Sequence, residues 1–250
     1  RVVQAIRAAG VSGILAEAQF SDQLAQTIAA GQNQKEVARL NLMKTYLSSA
    51  VLSDACEEVG AGGILDIPYL RPNIRHTKLF GRVRPMEIRN KRETDTGSIY
   101  DALESYQTVV PNDILLVKHG AVGLAYFGGL NARLALRAGA QGAIVTGATR
   151  DYTDTCQLGF PVFAQDITCK DVKGKAVVES INKPITFEET TVFPNDLLFA
   201  DEDGVVHLPW RYEEKILNKA MEIVERESQV QLDIVGQINI DKMRVQRGAF

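Results

Sequence analysis

The sequence lacks what would carry it into a membrane, out of a reducing compartment or onto a nucleic acid. No apolar run approaches the roughly 18 residues that a membrane span needs, and residues 1 to 30 do not show the charged-then-apolar layout of a signal peptide. The three cysteines, Cys56, Cys156 and Cys169, are odd in number and without CxxC spacing, which excludes a disulfide framework and a zinc knuckle. A formal net charge of -3 gives no electrostatic basis for neutralising a phosphate backbone. We therefore expect a cytoplasmic protein with no membrane and no nucleic-acid partner. The three histidines, His76, His119 and His207, are scattered, with no HExxH pair. HGAVGLAYFGG does not match the dinucleotide fingerprint, and no GxSxG elbow occurs. Those absences set aside zinc hydrolases, Rossmann enzymes and serine hydrolases. ADEDGVV is too short for an EF-hand loop and reads as a hairpin turn.

What is present is an ordinary globular composition, 45% hydrophobic and 24% charged over 250 residues, enough to bury a sizeable core. Residues 1 to 60 read as helical, with Val37, Leu40, Leu42 and Met43 on roughly one face. From Gly81 the texture changes to short β-branched or aromatic runs separated by turn residues: GRVRPMEIR, DILLVKHG, GAIVTG, PVFAQDI, KPITF, TTVF, DLLFA and VVHLP. VPNDILLVKHG and FPNDLLFADEDG share a Pro-Asn-Asp turn ahead of an apolar strand. LNARLALRAG is a short helix stopped by Gly139; with DILLV before it and GAIVT after it, it forms a right-handed βαβ unit. PWRYEEKILNKAMEIVERES starts a helix at a proline and sets Ile216, Leu217, Ala220, Ile223 and Val224 on one face, to dock on the sheet or a neighbouring subunit.

In α/β folds ligands gather where parallel strands end. IVTGATRDYTD ends such a strand in Arg150 and Asp151, while Gly128 and Gly129 open the preceding helix and leave the amides around Leu130 and Asn131 free for a carboxylate. Arginine offers a rigid fork for a carboxylate or enolate, and an aspartate can hold a hard cation. These groups suit a small 2-oxo acid. From spacing alone, however, the favoured reading of an Arg-Asp pair after a strand is a helix cap and a surface ion pair contributing at most about 1 kcal/mol.

The segment GGLNARLALRAGAQGAIVTGATRDYTDTCQLGFPVFAQD, followed by PNDLLFADEDGVVHLP, resembles the RraA-like family, which includes the 4-hydroxy-4-methyl-2-oxoglutarate/4-carboxy-4-hydroxy-2-oxoadipate aldolases. VLSDACEEVG and VVPNDILLVKHG fit upstream, so the likeness spans roughly residues 45 to 227. The resemblance implies an α/β fold of the swivelling β/β/α type. On that footing residues 1–45 are a helical N-terminal extension, 46–229 the α/β domain and 230–250 a C-terminal tail. Family aldolases carry an acid or a glycine, then twenty residues, then Arg-Asp, and the glycine form adds an acid three positions later; here these are Gly129, Arg150, Asp151 and Asp154.

Carried over, the resemblance makes Arg150 and Asp151 catalytic, gives Gly128, Gly129, Leu130, Asn131 and Arg150 to the substrate, and gives Asp151 and Asp154 to Mg²⁺ or Mn²⁺. Glu225 or Glu227 is the candidate carboxylate for a neighbouring subunit's site in a homotrimer or homohexamer. The implied reaction is a metal-dependent retro-aldol cleavage of a 4-hydroxy-2-oxo acid to pyruvate or a related 2-oxo acid, with oxaloacetate decarboxylation beside it. The alternatives are a non-catalytic regulator that binds a ribonuclease or other protein, and a lyase or dehydratase for sugar-derived acids. Family regulators lack the aspartate after the arginine, and this chain keeps Asp151.

Overall fold

The computed structural model describes residues 33–247. The chain divides into two units, 1–41 and 42–250. Of the first, only 33–41 lie within the described residues, and they are helical; the reading of residues 1–32 as helix lies outside them. The same helix ends at 44, and Leu42 on it is 63% exposed, so it does not share the buried face its spacing suggests.

The larger unit opens with α1 (Ser49–Val59), whose N-cap Ser48 accepts from the Val51 amide and whose Gly60 closes it in the left-handed conformation. Strands β1 (Gly63–Ile64) and β2 (Arg71–Pro72) are short edges. β3 (Leu79–Asn90) is the long central strand, followed by a 3-10 helix, Ile99–Gln107. Then come β4 (Ile114–His119), β5 (Ala125–Phe127), α2 (Gly129–Ala138), β6 (Gly142–Thr149), α3 (Tyr152–Gln157) and β7 (Val162–Ile167). β8 (Ala176–Ile181), the ribbon of β9 (Ile185–Phe187) and β10 (Thr190–Val192), the hairpin of β11 (Leu197–Ala200) and β12 (Val205–Leu208), α4 (Glu213–Val235) and α5 (Ile240–Arg247) complete the chain.

The main sheet runs β1-β12-β11-β3-β4-β6-β7-β2, with β5 beside β6 and β8 beside β3. β3, β4, β6 and β7 pair in parallel, and β4, α2 and β6 form the expected βαβ unit. Both faces of these strands are covered, so neighbouring side chains go to opposite cores. Leu115, Val117, Ala143 and Val145 join Phe127, Ala132, Ala135 and Phe160 on one face; Ile114, Leu116 and Ile144 join Val83, Phe163 and Leu198 on the other. Small residues Ala132, Ala135 and Ala143 on the first face bring α2 close to the sheet.

Both Pro-Asn-Asp turns are built alike. Asn112 and Asn195 are left-handed (φ 75° and 73°), and Asp113 and Asp196 each accept from the amide three residues back. α4 buries Ile216, Leu217, Ala220 and Ile223 and packs along α1, where Lys219 reaches Glu58 at 3.4 Å. α4 runs unbroken past residue 229, so the tail 230–250 starts inside it.

Candidate functional site

The parallel strands β5, β6 and β7 deliver their carboxyl ends to one rim. There a cavity of about 250 Å³ opens, small enough for an acid of a few carbon atoms. Gly128, Leu130, Asn131, Arg150 and Asp151, all singled out from the sequence, line it together.

Local geometry explains the arrangement. The first internal bond of α2 runs from the Ala132 amide to the Gly128 carbonyl, so the amides of Gly129, Leu130 and Asn131 precede it without main-chain acceptors in the helix. The Gly129 amide donates to Asp151 Oδ2 at 3.0 Å. Side chains at 128 and 129 would fill this junction: a β-carbon on Gly128 would stand 2.6 Å from Asp151 Oδ2, and one on Gly129 would collide with Asp154 Oδ2. Asn131 Nδ2 ties back to the Tyr126 carbonyl at 2.8 Å.

Asp151 occupies the N-cap position of α3, yet its side chain does not cap that helix. Its backbone is left-handed (φ 55°, ψ 39°), a conformation that costs of order 1–3 kcal/mol for a residue other than glycine, less for aspartate than for most. The strain turns the carboxylate across to α2 and into the cavity, with 45% of the side chain exposed. The carboxylate therefore caps α2 rather than its own helix, and its ion pair with Arg150 is a loose one of 3.6 Å.

Arg150 donates its amide to the Phe127 carbonyl at 2.9 Å, which fixes its backbone against β5. Its Nη1 lies 3.0 Å from Asp171 Oδ2, while its Nε lies 3.6 Å from Asp151 Oδ2. Asp154, expected beside a metal, is paired with an arginine. Arg133, one turn along α2, grips it with two bonds of 2.6 and 2.8 Å and holds its carboxyl below the usual range. Asp154 does not line the cavity; it takes the space an acidic side chain at 129 would need. Glu225 and Glu227 are exposed on α4 and do not line the cavity of this chain.

Sequence reasoning passed over several lining groups. Asp171 and Lys173 come from the loop after β7, and Ile99, Tyr100 and Leu103 from the 3-10 helix. The loop could have been found from topology, because the end of a parallel strand beside β6 must reach the same rim. Burial pushes the phenol of Tyr126, another lining residue, up, so it stays protonated near neutral pH. Of the histidines set aside, His119 is buried, its Nδ1 accepts from the Ala121 amide, and burial lowers its pKa. His207 is paired with Asp196 at 2.7 Å in the core. Cys156 is half-buried with its Sγ 3.3 Å from the Asn73 carbonyl.

Among the described residues no group of three or more His, Cys, Asp or Glu gathers to cage a metal. Asp151, with its Oδ1 outside the bond to Gly129, nevertheless fits Mg²⁺ or Mn²⁺, which keep much of their water and need only one or two protein carboxylates.

A model of the RraA-like family, described as Aldolase/RraA, matches residues 49–207. The chain is 25% identical over 209 residues to protein DlpA of Legionella pneumophila, covering 82% of this chain but only 33% of that protein, so it spans about a third of its length. It is 28% identical over 190 residues to a Halalkalibacterium halodurans protein named "Putative 4-hydroxy-4-methyl-2-oxoglutarate aldolase", covering 75% of this chain and 84% of the relative. Among solved structures, Streptomyces coelicolor RraAS2, described as an unusual member of the RNase ES inhibitor RraA protein family, superimposes with a TM-score of 0.67 at 23% identity, over 78% of this chain and 97% of that one. That likeness is one of fold.

Proposed function

Because the chain belongs to the RraA-like family, and the matched residues 49–207 include every group lining the cavity, we propose that it is a divalent-metal-dependent lyase. It cleaves a 4-hydroxy-2-oxo acid to pyruvate or a related 2-oxo acid, and oxaloacetate decarboxylation uses the same groups. The observation that carries this reading is the left-handed Asp151, turned away from its own helix towards the glycine-opened start of α2, beside Arg150.

The residues divide the work as follows. The amides of Leu130 and Asn131 and the Arg150 guanidinium bind the substrate's carboxylate and 2-oxo group, and the guanidinium gains most from the charge that develops as the C3–C4 bond breaks. Asp151 holds Mg²⁺ or Mn²⁺. Such a cation, when bound, polarises the 2-oxo group as a Lewis acid. Gly128 and Gly129 keep the approach clear, and the 3-10 helix gives the leaving half of the substrate an apolar wall. Arg133 and Asp154 brace the start of α2 beneath the site. Assembly as a trimer or hexamer would add Glu225 or Glu227 of a second copy to the rim.

The test is pyruvate release from a panel of 4-hydroxy-2-oxo acids with Mg²⁺ or Mn²⁺. Arg150→Ala and Asp151→Ala should each lower kcat/KM by about 10²–10³, the effect typical of losing a group that stabilises developing charge. Wild-type turnover in both variants would remove the assignment, and absence of turnover and metal binding in the wild type would favour the regulator instead.

A further inference from the structure

We infer that Asp171 is a positioning residue for Arg150: it holds the guanidinium away from Asp151, so that the arginine meets the substrate's carboxylate while the aspartate stays open to a cation. This rests on the roles proposed above for Arg150 and Asp151.

The guanidinium stands between two carboxylates at unequal distances. Nη1 to Asp171 Oδ2 is 3.0 Å, a close ion pair; Nε to Asp151 Oδ2 is 3.6 Å, a looser one. Asp171 is itself fixed. Its Oδ1 accepts from the Lys173 amide at 3.1 Å, so one oxygen is anchored to the loop while the other holds Arg150. The loop is anchored in turn, because the Ala125 amide donates to the Lys170 carbonyl at 2.7 Å and Ala125 and Asp171 form a parallel bridge. Ala125 begins β5, the strand that leads into Gly128 and Gly129. The substrate-binding amides and the arginine are thereby set against the same strand.

The pair does little for stability, since Arg150 and Asp171 side chains are 34% and 42% exposed and solvent screens them. Its consequence lies in what Arg150 does without it. Asp151 is the other carboxylate within 4 Å of the guanidinium among the described residues, and a movement of about 0.7–0.9 Å would close that gap into a hydrogen-bonded pair. Such a pair would occupy both functional groups with each other, lowering the affinity for the 2-oxo acid and for the cation together.

Ligand-free crystal structures of the wild type and Asp171→Asn, with steady-state kinetics of both and of Asp171→Glu, test this. In Asp171→Asn, Arg150 should close on Asp151 to about 2.7–2.9 Å. KM should rise about tenfold and kcat should fall as well, because the arginine holds the carboxylate in the ground state and gains further from the charge that develops in the transition state. Asp171→Glu should recover much of the KM. A general loss of folding would lower apparent kcat and leave KM alone. If Arg150 keeps its place in Asp171→Asn, the inference is overturned whether or not any variant turns over. If Arg150 moves as expected but the wild type releases no pyruvate, the positioning stands and the proposed lyase falls.

Discussion

Asp151 and Gly129 show how much of this site rests on two backbone decisions. An aspartate tolerates the left-handed conformation, and only in that conformation does its carboxylate leave α3 for the amide of Gly129. A glycine at 129 leaves room for Asp154, which Arg133 then fixes. Gly129→Ala should therefore push the exposed ends of Asp154 and Arg133 aside, a shift that flexible side chains make at a cost of at most about 1 kcal/mol, with a fall in turnover. The double variant Gly129→Ala/Asp154→Ala should recover part of that stability, which urea denaturation of the two variants would measure. Equal losses in the single and double variants would mean the two residues do not share the space. Asp151 and Gly129 were legible in IVTGATRDYTD and YFGGLNARLAL, because residue type and spacing carried them. Asp171 was not, because its loop bears no motif and its role appears only when β7 is laid beside β6.

At the scale of elements, strands β3, β4, β6 and β7 were legible as β-branched runs, and both Pro-Asn-Asp turns held the geometry that asparagine permits. β5, three residues long, and the 3-10 helix were not. A 3-10 helix repeats at three residues per turn and is short, so IYDALESYQ lacks the 3.6-residue period that marks an amphipathic α-helix. Yet this helix forms the cavity's apolar wall. It is capped by Ser98 and Asp101 acting reciprocally, and the loop before it is held by Arg89, which bonds Asp95 at 2.6 and 3.0 Å and also pairs with Glu179. Leu103 is half-exposed on that wall. Leu103→Ala should raise KM several-fold while leaving the melting temperature within about 2 °C of wild type, since little buried area is lost. Unchanged KM would show that the substrate does not reach the 3-10 helix.

For the whole molecule, one sheet buried on both faces supplies the frame, and the packing of α1 on α4 closes it near its two chain ends. Leu217 is 1% exposed in that packing, and Leu217→Ala should cost about 2–5 kcal/mol in urea denaturation without altering the slope. The sequence pattern showed the apolar face of α4 but not what covers it, because an amphipathic stripe does not name its partner. Stability should also depend on pH through His119. Burial lowers its folded pKa below the ordinary histidine value of about 6.5, so below about pH 6.5 the unfolded chain binds a proton that the folded chain does not. The melting temperature should fall as pH drops from about 6.5 towards the folded value, and His119→Asn should flatten that slope; the same slope in both proteins would exclude His119 as its source.

The central claim is that Arg150 and Asp151 form one site for a cation and a 2-oxo acid. Calorimetric titration of Mn²⁺ into the wild type and Asp151→Ala, each with and without pyruvate, tests it most directly. The account predicts one Mn²⁺ per chain in the wild type, bound more tightly when pyruvate is present, and both effects lost in Asp151→Ala. Mn²⁺ binding that survives in Asp151→Ala, or that pyruvate leaves unchanged in the wild type, would contradict it.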